Sequence, residues 1–446
     1  MRKTIITLIS ILALSSMGHS LYAQEEASSD PPFHIQDYEL GRGLRFQGKG
    51  GAYFMKIRSY VQSTAEFRTT SNWDDMESRF RVRRARLDIE GKLAKEKFSY
   101  RIRTDFAVPN NEDGDDLYSG TLLDAFITYH LNKNLKFTFG QRSTMTDNRE
   151  MRISSDALQF VERSRVTSAF AAVRDFGLFI EGRYQVGSWW VKPGAMIASG
   201  EGQNNFRNYG GLKYGGRIDF LPFGLFRSMG EYSEVDHARQ LTPKLIFGVA
   251  YSYNVGISSR RGRKGGDLVY LGSDQQTETL PDYGKLGADF MFKYQGWTVL
   301  GEFNWAYARV NSPEIFYRVR SNGTTANLRS EDGLNNATIV DYIAGRMMVG
   351  RGYNIQAGYL FKAGYSIDGR FTYLDPDNNS FLNNEQFYNR DKYYTLGFSK
   401  FLFKDAAKVQ LSMTYVNALE GTKGSDGEAH GADAEMMGRL MFQVSF

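Results

Sequence analysis

The chain has 446 residues and no cysteine, with 46 Gly, 32 Phe, 27 Tyr, only 9 Pro and a formal net charge of +5. The missing cysteine excludes disulfides, thiolate metal sites and a lipoprotein anchor. A mean hydropathy of −0.44, with no stretch after the first segment nearing 18 consecutive apolar residues, excludes a bundle of membrane-spanning helices.

Residues 1–23 open with Arg2 and Lys3, continue with an apolar run over 5–14 and end on small residues at Ala23. That order reads as a secretory signal peptide, too short to span a bilayer. Its removal leaves 53 basic against 50 acidic residues, a net charge of +3. Any preference for anions must therefore come from where the charges sit. Residues 24–50 read as a periplasmic N-terminal segment, flexible over 24–32 (QEEASSDPP).

Residues 51–446 read as one all-β domain, a transmembrane antiparallel β-barrel. Segments of about ten residues alternate apolar and polar side chains, as the strands of such barrels do. The predicted strands are 51–67, 79–90, 96–107, 121–131, 135–142, 173–185, 188–199, 208–220, 243–254, 283–294, 297–309, 350–362, 365–376, 392–404, 407–418 and 434–446. They number sixteen, and an even number returns both ends to the same side of the membrane. Six alternate links, such as 132–134 and 363–364, are short; 143–172, 255–282, 310–349 and 377–391 are long. Short turns on one side and long loops on the other fit a barrel. Residues 221–242 are long on the short-turn side, so they form either a periplasmic excursion or a misread register.

Alternation also assigns faces. Leu286, Ala288, Phe290, Phe292 and Tyr294 form one outward row, and Trp297, Val299, Phe303, Trp305 and Tyr307 the next. Lys285, Asp289, Lys293, Thr298, Glu302 and Asn304 are then inward. A soluble sandwich would bury the apolar rows instead. The last residues, GRLMFQVSF, place Leu440, Phe442, Val444 and Phe446 on one face. They resemble the terminal-Phe signal that the barrel-assembly machinery recognises.

The densest charge lies in residues 79–105, RFRVRRARLDIEGKLAKEKFSYRIRTD. On the inward face of the first three strands stand Lys56, Arg58, Arg84, Arg86, Arg101 and Arg103, against Asp88, Glu90 and Asp105. Guanidinium groups about 7 Å apart along a strand and about 5 Å across strands repel one another, which suits an aqueous interior that attracts anions. Arg79, Arg81 and Arg83 alternate out of phase with Arg84 and Arg86. A bulge near 83–84 would bring both sets inward; otherwise the first three lie above the membrane on lipopolysaccharide. The loop 143–172 carries Arg149, Arg152, Arg163 and Arg165 with Met151, Phe160, Val161 and Phe170. Such apolar content suggests a loop folded on a wall, the natural constriction. The candidate anion-binding, channel-lining residues are therefore Lys56, Arg58, Arg84, Arg86, Arg101, Arg103, Arg142, Arg149, Arg152 and Arg165. Arg260, Arg261, Arg263 and Lys264 read as a solvated or lipopolysaccharide-facing patch, with a funnel for anions as the alternative.

Enzymatic readings find little. His34, His130, His237 and His430 are dispersed, and 111–116 and 375–379 lack the offsets of a calcium loop. No catalytic residue, metal or cofactor is expected.

Three blocks carry a family resemblance: residues 43–62 (GLRFQGKGGAYFMKIRSYVQ), RRARLDIEGKL followed by FSYRIRTDF, and residues 124–178 with DAFITYHLNKNLKFTFGQ, ALQFVERSRVTSAF and RDFGL. They resemble the phosphate-selective porin O/P family of bacterial outer-membrane proteins. One departure is Arg142-Ser143-Thr144-Met145, where that family often has a Lys and a Pro. The resemblance implies a sixteen-stranded homotrimer in the outer membrane, among lipid and lipopolysaccharide, passing inorganic phosphate or other small anions. No nucleic-acid partner is expected. The competing readings are a non-selective porin, or an adhesion barrel with a plugged lumen whose long loops hold a partner.

Overall fold

A computed structural model describes residues 33–35, 38–70, 76–107, 122–205, 207–384, 390–423 and 429–446. The signal-peptide and 24–32 readings, and the acidic run 111–116, lie outside the described residues. Sixteen antiparallel strands form the barrel: β1 (Tyr53–Thr70), β2 (Met76–Leu93), β3 (Phe98–Asp105), β4 (Leu122–His130), β5 (Leu135–Ser143), β6 (Arg174–Gly182, continued by Tyr184–Val186), β7 (Trp189–Ala198), β8 (Lys213–Leu221), β9 (Lys244–Asn254), β10 (Asp282–Tyr294), β11 (Trp297–Arg309), β12 (Gly350–Leu360), β13 (Tyr365–Pro376), β14 (Lys392–Phe401), β15 (Ala407–Val416) and β16 (Glu435–Ser445). Every strand pairs with its sequence neighbours, and β16 closes the ring on β1, from Glu435↔Thr70 to Ser445↔Tyr60. Closure leaves no unpaired edge facing lipid. Past Tyr60 the edge of β1 is taken by a short strand, Leu44–Gly48, with Leu44 opposite Ile57. The sheet thus begins before residue 51.

The predicted faces hold. Trp297, Phe303 and Trp305 are exposed on the outer wall, whereas Lys285, Asp289, Lys293, Thr298, Glu302 and Asn304 point inward. Their surroundings differ from the wet lumen expected of them, because all six are buried. The hairpin between β10 and β11 turns on Gln295 (φ 46°) and Gly296 (φ 99°). Two successive positive φ values match the right-handed twist of the strands they join.

Two inserts fill the β8–β11 side. Loop 143–173 folds inward and holds α1 (Arg149–Arg152) and α2 (Arg165–Phe170). The 222–243 connection is an excursion, and the register around it stands, since β8 and β9 pair as neighbours with Phe220 opposite Phe247. It turns up into the barrel, where Phe226 packs with Ile153, Leu158, Ile246 and Leu300. Lys293 donates to the carbonyls of Gly230 (2.9 Å), Ser233 (2.6 Å) and Val235 (2.9 Å). The two inserts meet where Glu234 N donates to Ala157 O (3.0 Å) and Gln159 N to Glu234 Oε2 (2.8 Å).

On the long-loop side, the connections after β9, β11 and β13 build a cap with its own apolar core. Ile257, Leu268, Tyr270, Ile315, Leu328, Met347, Phe381 and Leu382 pack there with Ile339 and Ile343 of α3 (Asn336–Ala344) and with Phe170 of the inward loop. The basic run 260–264 divides. Arg261 is buried and donates to Ala171 O (3.2 Å), and Arg260 lies 3.6 Å from the Phe381 ring centroid, a stacking that suits a guanidinium group. Arg263, by contrast, faces the open cavity, and Lys264 is half-buried.

Candidate functional site

Among the described residues, a cavity of about 1230 Å³ stays open along the β1–β6 and β13–β16 walls, faced by the inward loop. Of its described lining side chains, eighteen are Arg or Lys and seven are Asp or Glu. The local cause begins in β2. Gln62 pairs with Arg84 and Ser63 with Val82, so Arg83 is an extra residue, a β-bulge. The bulge resets the alternation, and the out-of-phase arginines all reach the inner side. Phe80 and Val82 are exposed outward, while Arg79, Arg83, Arg84 and Arg86 line the cavity. Arg81 Nη2 donates to Glu66 Oε1 (2.8 Å) of β1. The lipopolysaccharide placement of Arg79, Arg81 and Arg83 is thereby replaced.

Of the ten candidate residues, Arg58, Arg84, Arg86, Arg101, Arg103, Arg142, Arg152 and Arg165 line this cavity. Two lie elsewhere. Lys56 sits toward the short-turn end with its Nζ 2.7 Å from Glu90 Oε1. Arg149, the first residue of α1 in the inward loop, is buried against the barrel wall, 2.7 Å from Asp219 and 2.8 Å from Asp289, so it holds the loop to β8 and β10. A sequence pattern cannot supply partners 70 residues or more away, which is why Arg149 resembled a pore residue.

The arginines are also less of a bare like-charge array than their spacing suggests. Asp88 accepts from Arg101 Nε (2.7 Å) and Arg103 Nη2 (2.6 Å). Arg86 Nε bonds Asp105 (2.7 Å), Arg174 Nε bonds Asp124 (2.9 Å), and Arg142 Nη1 bonds Glu181 (2.6 Å). Arg58 reaches Asp156 of the inward loop (2.9 Å). These pairs orient the guanidinium groups along the wall, with the excess of bases facing water.

The tip of the inward loop crosses to the basic wall. Arg83 Nε donates to Glu162 Oε1 (2.5 Å) and Arg84 Nη2 to Glu162 Oε2 (2.8 Å). Burial alone would push the Glu162 carboxyl up, but the charges of Arg83 and Arg84, with Arg439 behind them, hold it well below the usual carboxylate range. Arg370 of β13 steadies the same tip, donating to Glu162 O (2.8 Å) and to Glu150 Oε1 (2.7 Å). Sequence reasoning passed over Glu162, Arg370, Arg390 and Arg439, all of which line the cavity. The adjacent pair Arg83-Arg84, which breaks a strict alternation, was the one signal that could have led to Glu162.

A family model for phosphate-selective porin O and P matches residues 55–309, more than half of the chain. The chain belongs to that family. No curated protein sequence matches it. Among solved structures, the porin is similar to Pseudomonas putida OprB (TM-score 0.50, 11% identity, covering 89% of this chain and 94% of that one). It is also similar to OmpT, an outer membrane protein of Vibrio cholerae (TM-score 0.49, 11% identity, 89% and 99% covered). A third is an anion-selective porin from Comamonas acidovorans (TM-score 0.48, 10% identity, 88% and 100% covered). The porin is a β-barrel channel of the bacterial outer membrane.

Proposed function

We propose that this porin is a passive, anion-selective diffusion channel for phosphate or a related oxyanion. The observation that carries the reading is the lining of the cavity, with eighteen bases against seven acids concentrated on one side of the lumen. Rings of Arg and Lys favour anions in a pore, provided that no single site holds the ion too tightly to leave. Arginine suits an oxyanion because its planar fork matches two oxygens and it stays charged at any relevant pH. No bond is made or broken and no cofactor takes part. The family makes a homotrimer the natural assembly. An unboiled sample should run on a denaturing gel as a compact oligomer, since a closed barrel satisfies its backbone internally.

The test is a planar bilayer with a potassium chloride gradient. Unitary steps with a reversal potential on the chloride side are expected. A reversal potential on the potassium side would overturn anion selectivity. Closed bilayers with no unitary steps would instead favour a plugged, partner-binding barrel.

A further inference from the structure

A passing anion that approached the bulge in β2 would find its place already taken. The bulge turns two consecutive side chains, Arg83 and Arg84, onto the same inner face. Both converge on one carboxylate, that of Glu162, which comes from a loop 79 residues along the chain in the Arg83 contact. All three line the open cavity, together with Arg439 of the last strand. A carboxylate and a phosphate offer the same thing to a guanidinium fork, two oxygens sharing negative charge.

The loop does not need this contact to keep its shape. Val161 N donates to Ser412 Oγ (3.3 Å), Arg370 holds the Glu162 carbonyl (2.8 Å), and Phe160 lies under the Arg370 guanidinium (4.2 Å). Three contacts to β13 and β15 therefore fix the tip independently of the Glu162 carboxylate, and the same loop is held to β1 and β2 by Arg58–Asp156 (2.9 Å) and Arg86–Ser155 (3.1 Å). Its carboxylate is free to exchange without the loop unfolding.

We propose that Glu162 is a tethered competitor for the Arg83–Arg84 fork: its carboxylate occupies the place of a passing oxyanion and thereby limits how tightly that anion is held. This rests on the anion-channel reading and deepens it. A fork that bound phosphate without competition would trap its cargo, whereas conduction needs release. Each oxyanion displaces the carboxylate on entry, and the carboxylate returns as the ion leaves. Chloride, which offers no pair of oxygens to a fork, gains less from the exchange.

The experiment uses the full chain in planar bilayers, with chloride carrying the current and inorganic phosphate added as the competing probe. Glu162→Gln keeps the shape and removes the charge. The phosphate concentration that halves the chloride current should fall about tenfold, equivalent to about 1.4 kcal/mol. Glu162→Asp keeps the charge but draws it back by one methylene, and should lower that concentration by roughly threefold. If Glu162→Gln does not fold, the Asp variant decides alone. Half-inhibition unchanged from wild type, with chloride preference intact, would overturn the competitor role. A wild type that prefers potassium would overturn the anion-channel reading beneath it, which the same recordings reveal separately.

Discussion

The two halves of the barrel carry inward charges of the same kinds and use them differently. On β8–β11, Arg217, Lys285, Asp289, Lys293 and Glu302 are at most 6% exposed, sealed beneath the inward loop and the 222–243 excursion. There they bind those inserts in place, as when Asn148 Nδ2 donates to Glu302 (2.7 Å) and Lys285 pairs with Asp147. On β2–β5 the side chains of Arg86, Arg101 and Arg142 keep 13%, 27% and 20% of their surface and face the cavity. A charged inward face is thus not a channel by itself. What the loops cover decides whether it is structural or faces the solute.

The same substitution on the two halves should separate these uses most strongly. Arg217 is 2.7 Å from Asp219 and 2.6 Å from Asp289. Arg217→Gln leaves Asp219 to Arg149 and Arg152 and Asp289 to Arg149. The loss should therefore approach, without exceeding, a value of about 3–5 kcal/mol for a broken buried pair. Heat-unfolding on a gel should show a lower midpoint, with the reversal potential of surviving channels unchanged. Arg142→Gln breaks a largely buried pair with Glu181, but Glu181 keeps Lys136 at 3.3 Å and a fifth of its surface. It should lower the midpoint less than Arg217→Gln and shift the reversal potential toward potassium, most clearly at low salt where screening is weak. If both variants changed selectivity equally, the division into a sealed and an open half would fail.

A smaller effect follows from the point where the inserts meet. Burial, with the nearby Glu150 charge adding to it, pushes the Glu234 carboxyl up to about 7. A carboxyl that titrates near about 4.3 when unfolded then binds its proton more tightly in the folded protein. Its contribution to stability is therefore lost as pH rises from about 4.3 to about 7, and is level above that. The unfolding midpoint should be higher at pH 5 than at pH 8, and Glu234→Gln should flatten part of that slope. An identical slope in the variant would remove Glu234 from the account.

Much of the fold was legible because barrel strands announce themselves locally. Alternation in segments such as Trp297–Arg309, with short turns between them, places sixteen strands and their faces without long-range information. The apolar residues Phe160 and Phe170 likewise marked 143–172 as a loop folded on something. The covers were not legible. Residues 222–243 seal one half through carbonyls that accept from Lys293, and carbonyls leave no trace in a sequence. Arg260 and Arg261 resembled a surface patch because their neighbours, Phe381 and the Ala171 carbonyl, come from distant loops. In the same way, six bases against three acids overstated the free charge of the wall. Glu162 and Asp124 reach it from other elements.

The chain's freedom from cysteine allows the central claim, a path along one half only, to be measured directly. Thr414 lines the cavity on β15, whereas Thr298 points inward on β11 but is 1% exposed. Each is replaced singly by Cys, and channels in a bilayer are treated with an anionic thiol-reactive methanethiosulfonate. Thr414→Cys should react and lose a step of unitary conductance, while Thr298→Cys conducts unchanged. Equal block at Thr298→Cys, or none at Thr414→Cys, would contradict a conducting path confined to the basic half.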